Sequence, residues 1–314
     1  MSFPILSAAP TLESYQLQFG GVTFGGIDKT KPTFLQSLVL DMPSVSAGDT
    51  QRALDQGELA GFDVLPGRDI TITQLVSSGY FATGALPTTA AAQALESNMR
   101  LLGSVLGPSG AIEQPLFIQL PSGCYAANAR ARKHNCPFDI NRVFAGGVIA
   151  TSLLHATDPR FYGVPSLSET VGLPTSAGGA PLPFAFALGF GAGGLGGLAT
   201  CVNAGGFETR PLITFTGPCT NPSVCNLSIA GAPYLSFQIT LNAGDTLVVD
   251  TDLQTVIYTT AGTTTGVSRR SALSAYSTWF NLPPGSNTIE FNTSDAAWVA
   301  GTMEVQWANA WLTL

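Results

Sequence analysis

Hydrophobic and polar positions alternate over most of this chain with the period of β-strands, and only one stretch has the period of a helix. Near the start, Tyr15, Leu17 and Phe19 alternate with glutamines, and Gly20-Gly21 follows, which predicts a strand entering a tight hairpin. Residues 27–62 are rich in turn formers and read as a long loop. Pro66-Gly67 then marks a turn, and Ile70 and Ile72 share one face of the next strand. Between Thr89 and Leu106 the apolar residues Leu95, Met99, Leu102 and Leu106 form a single helical stripe. Thr88 or Thr89 is placed to cap that helix, and Gly107-Pro108 to stop it. One amphipathic helix among strands predicts a helix packed on a sheet face.

Beyond the helix, Pro115–Leu120, the turn Pro121-Ser-Gly and the segment from Cys124 to Arg132 read as a second hairpin. A long strand from about 147 to 157 ends in Asp158-Pro-Arg-Phe-Tyr-Gly. From about Val164 to Thr209 the composition shifts to Gly, Pro, Ala and Ser, although Phe184, Phe186, Leu188 and Phe190 still alternate as in a strand. The last hundred residues carry short strands at sandwich-like spacing: Leu212–Phe215, Leu227–Ile229, Tyr234–Leu241, Thr246–Asp250, Val256–Thr259, Asn287–Phe291 and Met303–Trp311. The expected architecture is mainly β. It comprises a sandwich-like domain over 1–165 with one packed helix, and an all-β sandwich over 166–314 that takes in the glycine-rich 175–206 segment.

Composition narrows the functional classes. Charged residues are 11% of the chain, well below the roughly 25% of an average domain. Such a surface is poorly solvated unless much of it is covered by other copies or partners. The net charge of −7, with lysine only at positions 29, 31 and 133, does not suit a groove that neutralises nucleic-acid phosphates. The five cysteines are odd in number and include no CxxC, against a zinc module or a disulfide scaffold, although Cys219 and Cys225 flank a proline-rich turn and are placed to pair. Residues 170–207 carry no charge, but their repeated Gly and Pro argue against a membrane span. The first residues lack the positive region of a signal peptide.

Each candidate site has a plainer reading beside it. Gly189-Phe-Gly-Ala-Gly-Gly matches the dinucleotide fingerprint formally, but no helix can start in the glycines that follow. His134 and Cys136, with Cys124 across the hairpin, are the nearest approach to a metal site and lack a fourth ligand; His155 lies in a strand with no nucleophile elbow nearby. Asp245, Asp250 and Asp252 fit either paired catalytic carboxylates or the turns at the ends of a short strand. Trp279, Phe280, Trp298, Trp307 and Trp311 fit either stacking on sugar rings or a core and interface. Arg130, Arg132, Lys133 and Arg142 stand out in an acidic chain, as a subunit contact or as a solvated hairpin tip. No catalytic residue, cofactor or metal is expected.

Taken in order, several segments resemble the distal tail protein family of siphophages. In the first half these are the strand pair of 15–26, Leu65-Pro-Gly-Arg-Asp-Ile-Thr-Ile, the single helix, the arginine-bearing hairpin and Ala156-Thr-Asp-Pro-Arg-Phe-Tyr-Gly. In the second half they are Leu241-Asn-Ala-Gly-Asp-Thr-Leu-Val-Val-Asp-Thr, Ser277-Thr-Trp-Phe-Asn-Leu-Pro-Pro-Gly-Ser-Asn-Thr-Ile and Trp307-Ala-Asn-Ala-Trp. The resemblance implies a belt-like N-terminal domain and a galectin-like C-terminal sandwich. It implies a non-enzymatic virion protein, assembled in the host cytoplasm, that forms a hexameric ring between the tail tube protein and the hub, receptor-binding and tip proteins. DNA would pass through the ring without specific binding, and negative charge would suit such a lumen. The long 27–62 loop and the apolar 175–206 stretch depart from the pattern and are expected to serve phage-specific neighbours. A carbohydrate-binding module for a host receptor is the alternative, and a glycan-cleaving enzyme using Asp250 and Asp252 a third.

Overall fold

The computed structural model describes residues 8–28, 31–52, 56–78, 89–108, 110, 112–138, 146–173, 197–295 and 299–314. Contacts divide them into two compact units, one comprising Ala8–Pro165 with Trp311–Leu314 and the other Ser166–Ala310.

In the N-terminal unit, β1 (Gln16–Phe19) and β2 (Val22–Gly25) form the expected hairpin. Gly20 and Gly21 both have positive φ, +56° and +79°, the conformation a two-residue turn between twisted strands requires. β3 (Thr33–Leu40), β4 (Thr50–Gln51), β5 (Glu58–Leu59) and β6 (Arg68–Ser77) follow. After α1 (Thr89–Leu106) come β7 (Gln114–Leu120), β8 (Gly123–Asn135), β9 (Gly147–Ala156) and β10 (Phe161–Val164). The main sheet runs in the order β2-β1-β7-β8-β9-β6-β3. The strand β8 carries it round the core: its first part pairs with β7 and β10, its last part with β9.

The helix has the predicted bounds, and Leu95, Leu102 and Leu106 are buried against Ile70, Ile72, Val76, Ala129 and Leu154. Ile70 and Ile72 are wholly buried, each stabilising the fold by about 1.5–3 kcal/mol. Asn98 Nδ2 donates to the Ser77 carbonyl at 3.0 Å and ties α1 to the end of β6.

Residues 27–62 are not the loop expected from sequence. They contain β3, an edge strand paired with β6, whose register slips between Leu35 and Ser37. Gln36 is the extra residue of this bulge, so Leu35 packs on the core before it and Leu38 and Leu40 after it. That slip erases the period-two signal. The same stretch continues into an antiparallel arm in which Ser46 bridges Val64 and β4 pairs with β5. The arm's strands touch where a Cβ on Gly61 would lie 2.1 Å from the Gly48 carbonyl oxygen, so only glycine fits there.

The second unit holds β11 (Leu167–Gly172), β12 (Leu198–Asn203), β13 (Leu212–Thr216), β14 (Cys219–Thr220), β15 (Ser223–Asn226) and β16 (Tyr234–Ser236). These are followed by β17 (Thr240–Leu241), β18 (Thr246–Asp250), β19 (Thr255–Thr259), β20 (Val267–Ser268), β21 (Gly285–Asn292) and β22 (Thr302–Trp307), and last by β23 (Ala310–Trp311) at the junction of the units. One sheet is ordered β11-β22-β13-β18-β19-β20 and the other β12-β21-β15-β16. Their inner faces meet in a single apolar core, where the Phe215 ring lies 5.5 Å from Phe291 and 5.8 Å from Phe237.

Three strand expectations change here. Leu227–Ile229 is a turn, and the strand lies just before it at Ser223–Asn226. Tyr234–Leu241 is split into β16 and β17, because at Phe237 the chain leaves one sheet and bridges Leu273. Leu235, Phe237 and Leu241 still alternate inward, since the same core receives them before and after the switch. Met303–Trp311 is likewise two strands. The alternation at 184–190 and the GxGxxG at 189 lie outside the described residues.

Candidate assembly surfaces

The basic group expected to contact a neighbour lies largely at the far end of β8. Arg130 pairs opposite His155 and Lys133 opposite Leu153, and Arg132 is the extra residue of a bulge between them. A bulge turns successive side chains away from strict alternation, and here Arg132 and Lys133 are both exposed while Arg130 is half-buried. The Arg130 Nε is buried without a hydrogen-bond partner. Across the sheet His155 Nδ1 and Asp69 Oδ1 are 2.7 Å apart. Arg142 lies outside the described residues.

Two of the first-half segments quoted for the family resemblance, residues 65–72 and 156–163, form one cluster. β6 pairs antiparallel with β9, Arg68 opposite Ala156, and a Cβ on Gly67 would meet the Ala156 carbonyl oxygen at 2.4 Å. Arg68 is 1% exposed, with its Cζ 4.3 Å from the centre of the Phe161 ring. Its Nη2 donates to the Leu312 carbonyl at 2.6 Å. Burial pushes the Arg68 pKa below the usual arginine value, and the charge of Asp158 acts the other way. Asp158 accepts from Arg160 Nη1 at 3.1 Å and from the Tyr162 hydroxyl at 2.6 Å. Sequence reasoning gave Arg68 no role; its one signal is a lone arginine in phase with the buried isoleucines of β6.

Apolar surface concentrates on the arm. Met42, Val45, Leu59, Phe62 and Val64 are all exposed, Phe62 to 93%. The same unit carries an apolar groove of about 390 Å³ lined by Tyr15, Leu17, Ile27, Leu35, Leu38 and Leu314, among others.

In the sandwich the three aspartates hold turns. Asp245 is 1% exposed and accepts from Ala261 N at 3.0 Å, the Tyr258 hydroxyl at 2.8 Å, and Asn242 N at 2.9 Å and Nδ2 at 3.0 Å. These bonds, first that from Ala261, hold its pKa at about 2. Asp250 Oδ1 accepts from the amides of Asp252 and Leu253. Asp252 is ion-paired with Arg210.

The other candidates separate. Cys124 and Cys136 stand at opposite ends of β8, not facing one another across the hairpin. His134 Nδ1 lies 2.9 Å from the Ser152 hydroxyl, and burial lowers its pKa. Among the described residues no group of three His, Cys, Asp or Glu is placed to hold a metal ion. Cys219 and Cys225 are both free thiols. Trp307 is a core residue whose Nε1 donates to the Val202 carbonyl at 3.0 Å, and Phe280 is buried too. Trp311 meets Tyr125 edge-on in the N-terminal unit, with ring centres 5.3 Å apart. Trp298 lies outside the described residues. Trp279 and Phe280 line a groove of about 660 Å³, together with Glu208, Arg210 and Asp252. No described helix is long and apolar enough to cross a membrane.

Residues 204–311 match the family model of the siphovirus-type tail component, C-terminal domain. The chain resembles the siphophage distal tail proteins. The crystal structure of the Dit (gp 19.1) protein of phage SPP1, described as a paradigm of the hub adsorption apparatus in phages infecting Gram-positive bacteria, matches 94% of this chain and 98% of its own, with a TM-score of 0.61 at 16% identity. A chain of the phage P2 baseplate in its activated conformation covers 94% of this chain and 98% of its own, with a TM-score of 0.44 at 11% identity. No curated protein matches the chain. The distal-tail-like chain is thus mainly β, and the tail-component match falls on its sandwich, from just after β12 to Trp311.

Proposed function

We propose that this chain is a structural subunit of a phage tail tip, forming a hexameric ring that joins the tail tube to the hub and the receptor-binding or tip proteins. The observation that carries the reading is the tail-component match over 204–311 on a chain whose fold follows SPP1 Dit over 94% of its length. In this reading the unit of residues 8–165 supplies the ring and the sandwich contacts the tip proteins.

Three features support self-assembly. The sequence carries little charge. The arm at 42–64 presents apolar side chains to solvent, and a separate apolar groove lies in the same unit. A knob and a hollow on one chain make head-to-tail contacts, which close into rings when the rotation between copies is right. Arg132 and Lys133, raised by the β8 bulge, contact acidic groups of a neighbouring tail protein or of the next subunit. The net negative charge lets DNA pass through the ring without adhering.

Native mass spectrometry and negative-stain microscopy of the purified full chain test this. Closed six-fold rings are the expected result. A chain that stays monomeric at every concentration, and alongside its tube and hub proteins, would exclude the reading.

A further inference from the structure

We infer that the interface between α1 and the main sheet is not a dry core but encloses a hydration site, in which ordered water is held by the Gln74 carboxamide and by Nε2 of His134. The inference concerns the interior of the first unit and does not depend on the assembly reading.

Gln74 lies in β6, on the face that buries Ile70, Ile72 and Val76. It is 0% exposed, yet neither its Oε1 nor its Nε2 has a hydrogen-bond partner. A carboxamide offers two donor hydrogens and an acceptor oxygen. Stripping it of water without replacing those bonds is so unfavourable that buried polar groups are nearly always satisfied, by ordered water where the protein supplies nothing. A second orphan lies two strands away. His134 Nδ1 is 2.9 Å from the Ser152 hydroxyl, whereas its Nε2 is buried with no partner.

The strand register gathers these groups round one small residue. Ala150 of β9 is opposite Gln74, and Ser152 is opposite Ile72 on one side and His134 on the other. Ala150 and Ser152 are both wholly buried and share the inner face, because alternate residues of a strand do. Ala150 thus occupies the corner between Gln74, Ser152 and His134, and its single methyl leaves that corner unfilled. The helix passes over it. Asn98 Nδ2 donates to the Ser77 carbonyl on the β6 side, and little more than a turn later a Cβ on Gly103 would lie 3.9 Å from His134 Cδ2. Where α1 crosses the imidazole it therefore presents a glycine.

Small residues in both layers make room for water, which needs only about 10–15 Å³ of probe-sized volume and two to four polar partners. Gln74 Oε1, Gln74 Nε2 and His134 Nε2 are suitable partners. The set is uncharged, since burial lowers the His134 pKa and favours the neutral ring. An ion would find no opposite charge among these groups, and an apolar guest would leave all three atoms stripped. Water alone is small enough and both gives and accepts hydrogen bonds.

A high-resolution crystal structure of the full chain tests this directly. Density is expected for an enclosed water within hydrogen-bond distance of the Gln74 amide and of His134 Nε2. A dry interface, with the Gln74 amide bonded straight to His134 or turned to another protein group, overturns the proposal. A second test fills the corner. Ala150→Val is made in the native chain and in a Gln74→Met chain, where the side chain keeps its length but has no amide to strand. Hydrogen exchange of the slowest amides in β6 and β9 is the readout. Ala150→Val should lower their protection at least about tenfold more in the native background than in the Gln74→Met one. Equal losses in both backgrounds overturn the proposal. Should Ala150→Val fold in neither, the density in the native chain decides.

Discussion

The Arg68 guanidinium donates to the backbone carbonyl of Leu312, linking the first residue of β6 to a residue that follows the whole of the second unit. A charged donor buried to 1% exposure is costly to desolvate unless its partners stay in place. Here the partners are a carbonyl, the face of Phe161 and the field of Asp158. Replacing Arg68 by Met is expected to lower stability by about 2–4 kcal/mol, from one charge-assisted hydrogen bond and one buried cation–π contact. Chemical denaturation measures it. Arg68→Lys should not restore the loss, since an ammonium cannot both stack and reach the carbonyl.

Removal of Trp311–Leu314 leaves Arg68 and the Tyr125 ring without these partners. Hydrogen exchange should then speed up in β6, β9 and the start of β8, while β13, β18 and β22 keep their protection. Equal loosening of both units would contradict this assignment.

Gly205 packs so closely that a Cβ would lie 2.0 Å from the Ala310 carbonyl oxygen, beside Asn203, whose Nδ2 serves the carbonyls of Phe207 and Leu282. Gly205→Ala should cost more than about 2 kcal/mol, since backbone has to shift to admit it. A fall in the sandwich's melting temperature is the readout.

The two units should weaken in different pH ranges. Asp245 is held at about 2 in the folded chain against 3.8 for a free group. Its contribution is complete above 3.8 and disappears as pH falls through 2, because the unfolded chain takes up the proton first. His134 has its folded pKa lowered from 6.5 by burial. The unfolded chain therefore binds a proton below 6.5 that the folded one resists, so the N-terminal unit loses stability first as pH drops. Asp245→Asn should flatten the sandwich's response between pH 4 and 2 and leave that of the other unit intact, as followed by hydrogen exchange.

Charge reversal at Arg132 and Lys133 together tests the proposed contact. Both side chains are exposed on a bulge, so the monomer's melting temperature should move by less than about 0.5 kcal/mol equivalent. Sedimentation with the neighbouring tail proteins should show weakened association, and raised salt should mimic the effect in the native chain.

What the sequence made legible follows from how local each signal is. The helix over Thr89–Leu106 was readable because its stripe is intact and glycine and proline end it. The β1–β2 hairpin was readable because only glycines satisfy its turn. β3 was hidden by Gln36, since a single inserted residue reverses the alternation on which the eye depends. Tyr234–Leu241 looked like one strand because alternation reports facing, not which sheet supplies the hydrogen bonds. The Trp279 groove escaped because Arg210, Asp252 and Asn281 come from three separate loops, and no spacing marks their meeting. Arg68 and Leu312 are 244 positions apart, and nothing local to either announces the other.

The return of Trp311–Leu314 to the first unit makes the sandwich an insertion within another domain's sequence. A ribosome therefore delivers the last piece of the first unit only after it has made everything in between. Until then Arg68 has no carbonyl to reach, and the unit proposed to build the ring stays incomplete. Chains that stop before Leu312 would lack this closing contact, so a single backbone carbonyl near position 312 decides whether the buried Arg68 has its acceptor.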